Sequence, residues 1–226
     1  MCEEKKYNVR EIKAFFKKSK GHKYELFYKL IFSYRMSRYE ILNLKWDDID
    51  FDNNTITIYP IRYLPNDRSK NYWDMNRVEE LARTYPLLDH LRTLLKKEKK
   101  KQVKYLMEDD NYLKENIDFL CVDNKGKRLN ANTLSRNLKY IARDNKLPEI
   151  LISGIKTSAD DFFLKNCRSF DYYRCWTRFD ILDKRENIYK NYSLLKNNYF
   201  IKMLNNLIDQ NQSSHTSNFE MWGVNE

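Results

Sequence analysis

The side chains best suited to chemistry in this sequence are cations, and their distribution points to a polyanionic partner. The 226 residues include 42 Lys and Arg against 32 Asp and Glu, a net charge of +10. From Asp209 to the end there are three acids (Asp209, Glu220, Glu226) and no Lys or Arg, so residues 1–208 carry +13. A folded body with this charge attracts polyanions, nucleic acid foremost. Arg136, Lys139 and Arg143 concentrate the charge on one helical stretch, away from its apolar positions Leu134, Leu138, Ile141 and Ala142. That stretch reads as a basic helix laid against DNA.

Other chemistries find no support. Cys2, Cys121, Cys167 and Cys175 form no Cys-x-x-Cys pair, and His22, His90 and His215 lie far from them in sequence. Neither a zinc ribbon nor a disulfide framework is expected, and no metal or cofactor. With 4 Gly and 4 Pro, Gly-rich phosphate loops, collagen-like repeats and turn-dense sandwiches or propellers are poor candidates. The charged first residues and the lack of any long apolar run predict a soluble, intracellular protein with reduced thiols and no membrane partner.

The elements that must position these cations follow from periodicity. Asn8 and Glu11 make a capping box for a helix with Val9, Ile12, Phe15 and Phe16 on one face, running to about Lys20. A dense apolar stretch from Tyr24 to Tyr34 predicts a buried second helix. Ser37-x-x-Glu40 caps a third, through Leu44. Period-2 alternation over 55–59, after Asp52-Asn53-Asn54 and before Pro60, predicts a strand. Residues 61–70 read as a basic hairpin tip and 71–76 as its return strand.

Helices are then expected from about Arg77 to Tyr105, with the run Lys96-Lys97-Glu98-Lys99-Lys100-Lys101 as a solvated helix end. A short strand at 119–122, a helix capped by Asn132, and helices at 157–167, 170–190 and 192–208 complete the body. The reading is one mainly α domain over 1–208 with a small antiparallel sheet or hairpin. A flexible acidic tail, 209–226, carries an apolar island, Phe219, Met221, Trp222 and Val224, suited to binding its own body or a partner.

Glu40, Leu44, Trp46, Asp48, Ile49 and Asp50, followed by a strand, stand at the spacing of one known pattern. The segment from Tyr34 onward resembles the start of a tyrosine recombinase (phage integrase) catalytic domain, and the resemblance extends over about residues 8–192. It implies the mixed helical fold with its small sheet, and double-stranded or branched DNA as partner. It starts almost at Met1, so a separate core-binding domain is not expected.

In that family a tyrosine attacks a phosphodiester while two arginines hold the charge that builds on the phosphorus oxygens. The resemblance places the first arginine at Ser37, with Arg35 and Arg38 as its nearest cations. It places the second at Lys156, within Ser153-Gly154-Ile155-Lys156-Thr157-Ser158, where the family's histidine is also missing. Tyr189, 33 residues further on, is the candidate nucleophile, and Tyr192 a weaker one. Lys70 or Arg62 matches the hairpin lysine, and both are expected on DNA.

Losing one preorganised donor in such a site lowers the rate on the order of 100- to 1,000-fold. A degenerate active site is therefore expected: a recombinase-like DNA-binding protein without strand cleavage. Two other readings stand beside it. One is a divergent active recombinase using Arg35 or Arg38, Lys156 and Tyr189. The other is an interaction or regulatory subunit of a recombination, viral or mobile-element assembly, joined through its tail as a homo-oligomer or to an active recombinase.

Overall fold

The computed structural model describes residues 5–59, 82–166 and 198–208. Helix α1 spans Val9–Ser19, and its start is the predicted capping box: Asn8 Oδ1 accepts from the amides of Arg10 and Glu11, and Glu11 Oε2 from that of Asn8. Ile12, Phe15 and Phe16 turn inward, whereas Val9 stays exposed.

Helix α2, Glu25–Tyr34, is buried at every one of its ten positions and is the axis of the fold. A helix closed in on all sides must pair any charge it carries. Glu25 and Lys29 do so one turn apart at 2.7 Å. Its tyrosines reach out to distant backbone: Tyr28 donates to Leu134 O at 2.9 Å, and Tyr34 donates to Pro86 O at 3.0 Å while accepting from Leu88 N. Phe15 meets Tyr28 and Phe16 meets Phe32 edge to face around it.

Helix α3, Arg38–Asn43, leads through a 3₁₀ turn, Trp46–Asp48, into strands β1 (Ile49–Asp50), β2 (Thr55–Ile58) and β3 (Arg83–Pro86). The three form an antiparallel sheet in the order β1-β2-β3, with Ile56 opposite Tyr85. The partner of β2 is thus 83–86, in a stretch expected to be helical; residues 61–70 and 71–76 lie outside the described residues. Arg83 and Tyr85 show why: Tyr85 is buried against the Tyr34 ring, Arg83 pairs with Glu40, and Pro86 takes the strand's end.

Helix α4, Asp89–Glu108, starts later than expected and runs past Tyr105, so the lysine run sits in its middle and not at its end. The expected strand at 119–122 is reduced to two isolated bridges, Lys45 with Phe119 and Val122 with Arg128, because the segment turns back at once through Gly126. Helix α5, Ala131–Asp144, is capped by Asn130, not Asn132: Asn130 Oδ1 accepts from the amide of Asn132. Helix α6, Ile152–Asn166, starts five residues earlier than expected. Its inner face, Ile155, Ala159, Phe162 and Phe163, packs along α2, where Phe32 meets Phe162 and Phe163. Helix α7, Asn198–Ile208, closes the core with Leu204, Leu207 and Ile208. The helix expected at 170–190 and the tail lie outside the described residues.

Candidate nucleic-acid interface

Ser37 sits at the junction of α2 and α3 and is a helix cap in full. Its hydroxyl accepts from Glu40 N at 3.2 Å, and Glu40 Oε2 accepts from Ser37 N at 2.7 Å. The other oxygen of Glu40 accepts from Arg83 Nη2 at 2.8 Å, an ion pair with both side chains almost wholly buried. The spacing of Ser37 and Glu40 with the sheet is therefore a folding device, and Arg83 is its hidden third member. No sequence signal linked Arg83 to Glu40, which lies 43 residues away.

Arg35 ends α2 in the left-handed conformation (φ 51°). That turn carries its guanidinium sideways onto α6, where Nη2 donates to Asp160 Oδ2 at 2.6 Å and Nε faces Oδ1. Burial pushes the Asp160 carboxyl above its ordinary range, against the pull of Arg35 and of Lys156. Lys156 lies on α6 one turn before Asp160, half-buried. The structure thus gathers Arg35, Lys156 and Asp160 at one place beside Ser37. Asp160 was missed in the sequence; its position four residues after Lys156, on the same helix face, was the available signal.

The segment 153–158 lies inside α6 and not ahead of a helix. Gly154 permits its close approach to the chain's first described residues: an added Cβ would come within 2.5 Å of Lys5 O. Ser158 Oγ accepts from Tyr7 N at 2.8 Å and donates to Gly154 O. Two of the six residues therefore serve packing.

The remaining candidates separate by environment. Arg38 is exposed; its guanidinium lies 4.7 Å from the Tyr39 ring centre and donates to the Tyr39 hydroxyl. On α5, Arg136 is exposed, Lys139 is half-buried, and Tyr140 stands out at 53% exposure. Arg136 is also close enough to Tyr24 to act on its hydroxyl electrostatically. Arg143 is held by Glu149 at 2.6 Å, which keeps the Arg143 guanidinium above and the Glu149 carboxyl below their ordinary ranges. Arg62, Lys70, Tyr189, Phe219, Met221 and Trp222 lie outside the described residues.

Among the described residues no group of three or more His, Cys, Asp or Glu could hold a metal ion, and no helix is long and apolar enough to cross a membrane. What the surface offers is cationic and aromatic side chains on helices, a chemistry matched to phosphates and stacked rings.

A mostly helical body with a three-stranded antiparallel sheet, entered through the Glu40 to Asp50 segment, is the architecture of tyrosine recombinase catalytic domains. The chain belongs to the phage integrase family, whose model matches residues 5–151. The match ends just before α6, so Lys156 and Asp160 lie beyond it. Solved structures agree in fold. XerA recombinase is 13% identical with a TM-score of 0.56, over 89% of this chain and 64% of that one. The Tn1549 transposon integrase in complex with transposon right end DNA is 13% identical with a TM-score of 0.59, over 94% of this chain and 62% of that one. The lambda integrase catalytic core is 11% identical with a TM-score of 0.50, over 75% and 92%. The chain spans just under two thirds of the length of the first two. No curated protein matches it.

Proposed function

We propose that this chain binds DNA with a recombinase-type body and does not cleave it. The observation that carries the reading is the pairing of Arg35 with Asp160 beside a Ser37 that acts as a helix cap. A phosphoryl transition state needs cations aimed at its oxygens. Here the position of the first arginine is neutral, and the nearest buried cation already has a carboxylate on its guanidinium. Lys156 brings a point charge without the two-pronged geometry of an arginine. With two such donors changed, cleavage is expected to fall by far more than the 100- to 1,000-fold attached to one.

Binding does not need those donors. It needs positive charge on rigid elements, and Arg136, Lys139 and Arg38 supply it on α5 and α3, in a body of net charge +13. The Tn1549 integrase was solved with transposon DNA, which favours a DNA partner for a chain of the same fold.

The test is binding of the purified chain to labelled duplex and branched DNA across a salt series, each sample also run under denaturing conditions. Salt-sensitive binding with no covalent band is expected. A covalent band that disappears in Tyr189→Phe would overturn the non-cleaving reading, and no binding at low salt would overturn the DNA reading.

A further inference from the structure

Five of the six residues 96–101 are lysines, and they lie in the middle of the 20-residue helix α4. Lys96, Lys97, Lys99 and Lys100 are all exposed. They fan across the solvent side of the helix, away from Leu91, Leu95 and Gln102, which are buried in the body. Lys101 turns to the one acid within the run, Glu98, at 3.4 Å, and Lys104 is taken by Glu108 at 3.7 Å. Among the described residues no carboxylate pairs with Lys96, Lys97, Lys99 or Lys100, nor with Arg92 one turn earlier.

Aromatic rings flank these lysines instead. Lys96 Nζ lies 5.7 Å from the Phe51 ring centre, and Lys99 Nζ lies 5.5 Å from that of Trp46 and 5.8 Å from that of Phe51. A ring face positions a cation without neutralising it. Asp50, next to Phe51, is turned to its own loop, where its carboxylate accepts from the amides of Asp52 and Asn53 and from the Asn53 side chain. Like charges one turn apart destabilise a helix, so α4 carries a repulsion that a bound polyanion would relieve.

The kind of polyanion follows from charge density and from what α4 has already buried. A helix that lies on a membrane surface does so on its apolar face, and the apolar face of α4 is inside the body. An extended acidic peptide offers at most one charge per roughly 3.3 Å. Duplex DNA offers one per about 1.7 Å of axis. From Lys96 to Lys100 the helix advances about 6 Å and presents four cations, a density that matches the duplex. This face is also separate from the one assigned above, because α4 packs on α2 and α7 whereas α5 packs on α1, α3 and α6.

We infer that α4 carries a second, sequence-independent nucleic-acid contact, in which Lys96, Lys97, Lys99 and Lys100 bind backbone phosphates of duplex DNA. The inference rests on the DNA-binding reading above and adds a surface to it.

The experiment compares the full chain with two variants that each lose four exposed lysines. One carries Lys96→Gln, Lys97→Gln, Lys99→Gln and Lys100→Gln on α4; the other carries Lys13→Gln, Lys17→Gln, Lys18→Gln and Lys20→Gln on and just after α1. Both lower the net charge equally. Binding to a labelled duplex of arbitrary sequence is followed across a salt series, with thermal unfolding as the check on folding. At about 0.1 M salt the α4 variant should bind about tenfold or more weakly, with a salt slope smaller by about two units or more, and the α1 variant should stay within about threefold of the parent. In the parent, the same duplex should slow acylation of Lys96, Lys97, Lys99 and Lys100 by a lysine-specific reagent about threefold or more, read by peptide mass spectrometry. That second measurement needs no variant. Equal losses in both variants would assign the binding to bulk charge and overturn the inference. An α4 variant that binds like the parent, or lysines acylated at the same rate with duplex present, would overturn it and leave the DNA reading standing. No binding of the parent at low salt would overturn both. Binding of the parent to vesicles of anionic phospholipid and not to DNA would seat a membrane on α4 and overturn it as well.

Discussion

Arg35 and Asp160, 125 residues apart in sequence, meet where the end of α2 touches α6, the guanidinium donating to the carboxylate at 2.6 Å. The pair fastens the two most extensively packed helices at one end, as Phe32, Phe162 and Phe163 fasten them further along. It also neutralises the guanidinium that stands two residues before Ser37.

Asp160→Asn should separate these two roles. Removing one member of a fully buried pair costs about 3–5 kcal/mol, but these side chains keep 15% and 26% exposure and burial already disfavours the Asp160 charge, so the expected loss is about 0–1 kcal/mol. Urea unfolding measures it. The same substitution leaves the Arg35 charge without its carboxylate, so DNA binding at low salt should tighten and the salt slope should steepen by about one unit. A lower stability with an unchanged slope would mean that Arg35 does not face the DNA.

Asp160 and its neighbour Asp161 should give opposite pH signatures. Burial raises the Asp160 carboxyl above its ordinary value of 3.8, so between 3.8 and the raised value the folded state holds more protons than the unfolded one. Stability from this group therefore falls as pH rises through that window. Lys165 and Lys6 hydrogen-bond to Asp161 and lower it, so its contribution is present above 3.8 and is lost as pH falls below. Denaturation midpoints of Asp160→Asn and Asp161→Asn, followed from pH 3 to 6, should differ from the parent in opposite directions with pH.

Glu40→Ala should be among the most damaging single changes. It removes half of the Ser37 capping box and leaves Arg83 buried without its carboxylate. A loss of about 3–5 kcal/mol is expected. Ser37→Ala, which removes the cap alone, should cost about 1 kcal/mol. Comparing both by thermal or chemical unfolding tests whether the segment's spacing serves folding, as the structure indicates.

Gln102 joins three parts of the body. Its Oε1 accepts from Trp46 Nε1 at 2.7 Å, and its amide donates to Ile117 O at 3.0 Å. Gln102→Leu keeps the bulk but strands the indole N–H and a carbonyl, at about 1–3 kcal/mol for each unsatisfied group. Unfolding in urea, followed by tryptophan fluorescence, should show a loss of about 2 kcal/mol or more.

Cys121 should resist modification. It is fully buried, its thiol donates to Ile41 O, and burial pushes its ionisation far above the ordinary thiol range. Since the thiolate is the reactive form, an alkylating reagent should label this position only after unfolding, which mass spectrometry of the modified peptides reads directly.

How far the sequence reached depends on whether a feature is local. The capping boxes at Asn8 and Ser37, the apolar stripe of α1 and the buried run of α2 were all legible, because each is fixed by residues three or four apart. The Glu40 to Asp50 pattern was legible for the same reason, and with it the family and the fold class. The lysine run of α4 was read as a helix end because charge alone carries no boundary; the helix continues through Gln102 and Tyr105, whose roles lie in contacts beyond the run. Strand β3 was missed because Arg83 and Tyr85 belong to it through Glu40 and Tyr34, partners in other elements.

The sequence by itself thus determined the first three helices, the net charge and the neutral residue at position 37. Only the tertiary structure decided what the charges do: Arg35 and Asp160 neutralise one another, Arg83 is buried against Glu40, and Arg136 is left to solvent. An ion pair between distant segments forms only when packing brings them together and removes the water between them, and neither event is written in the spacing of either residue.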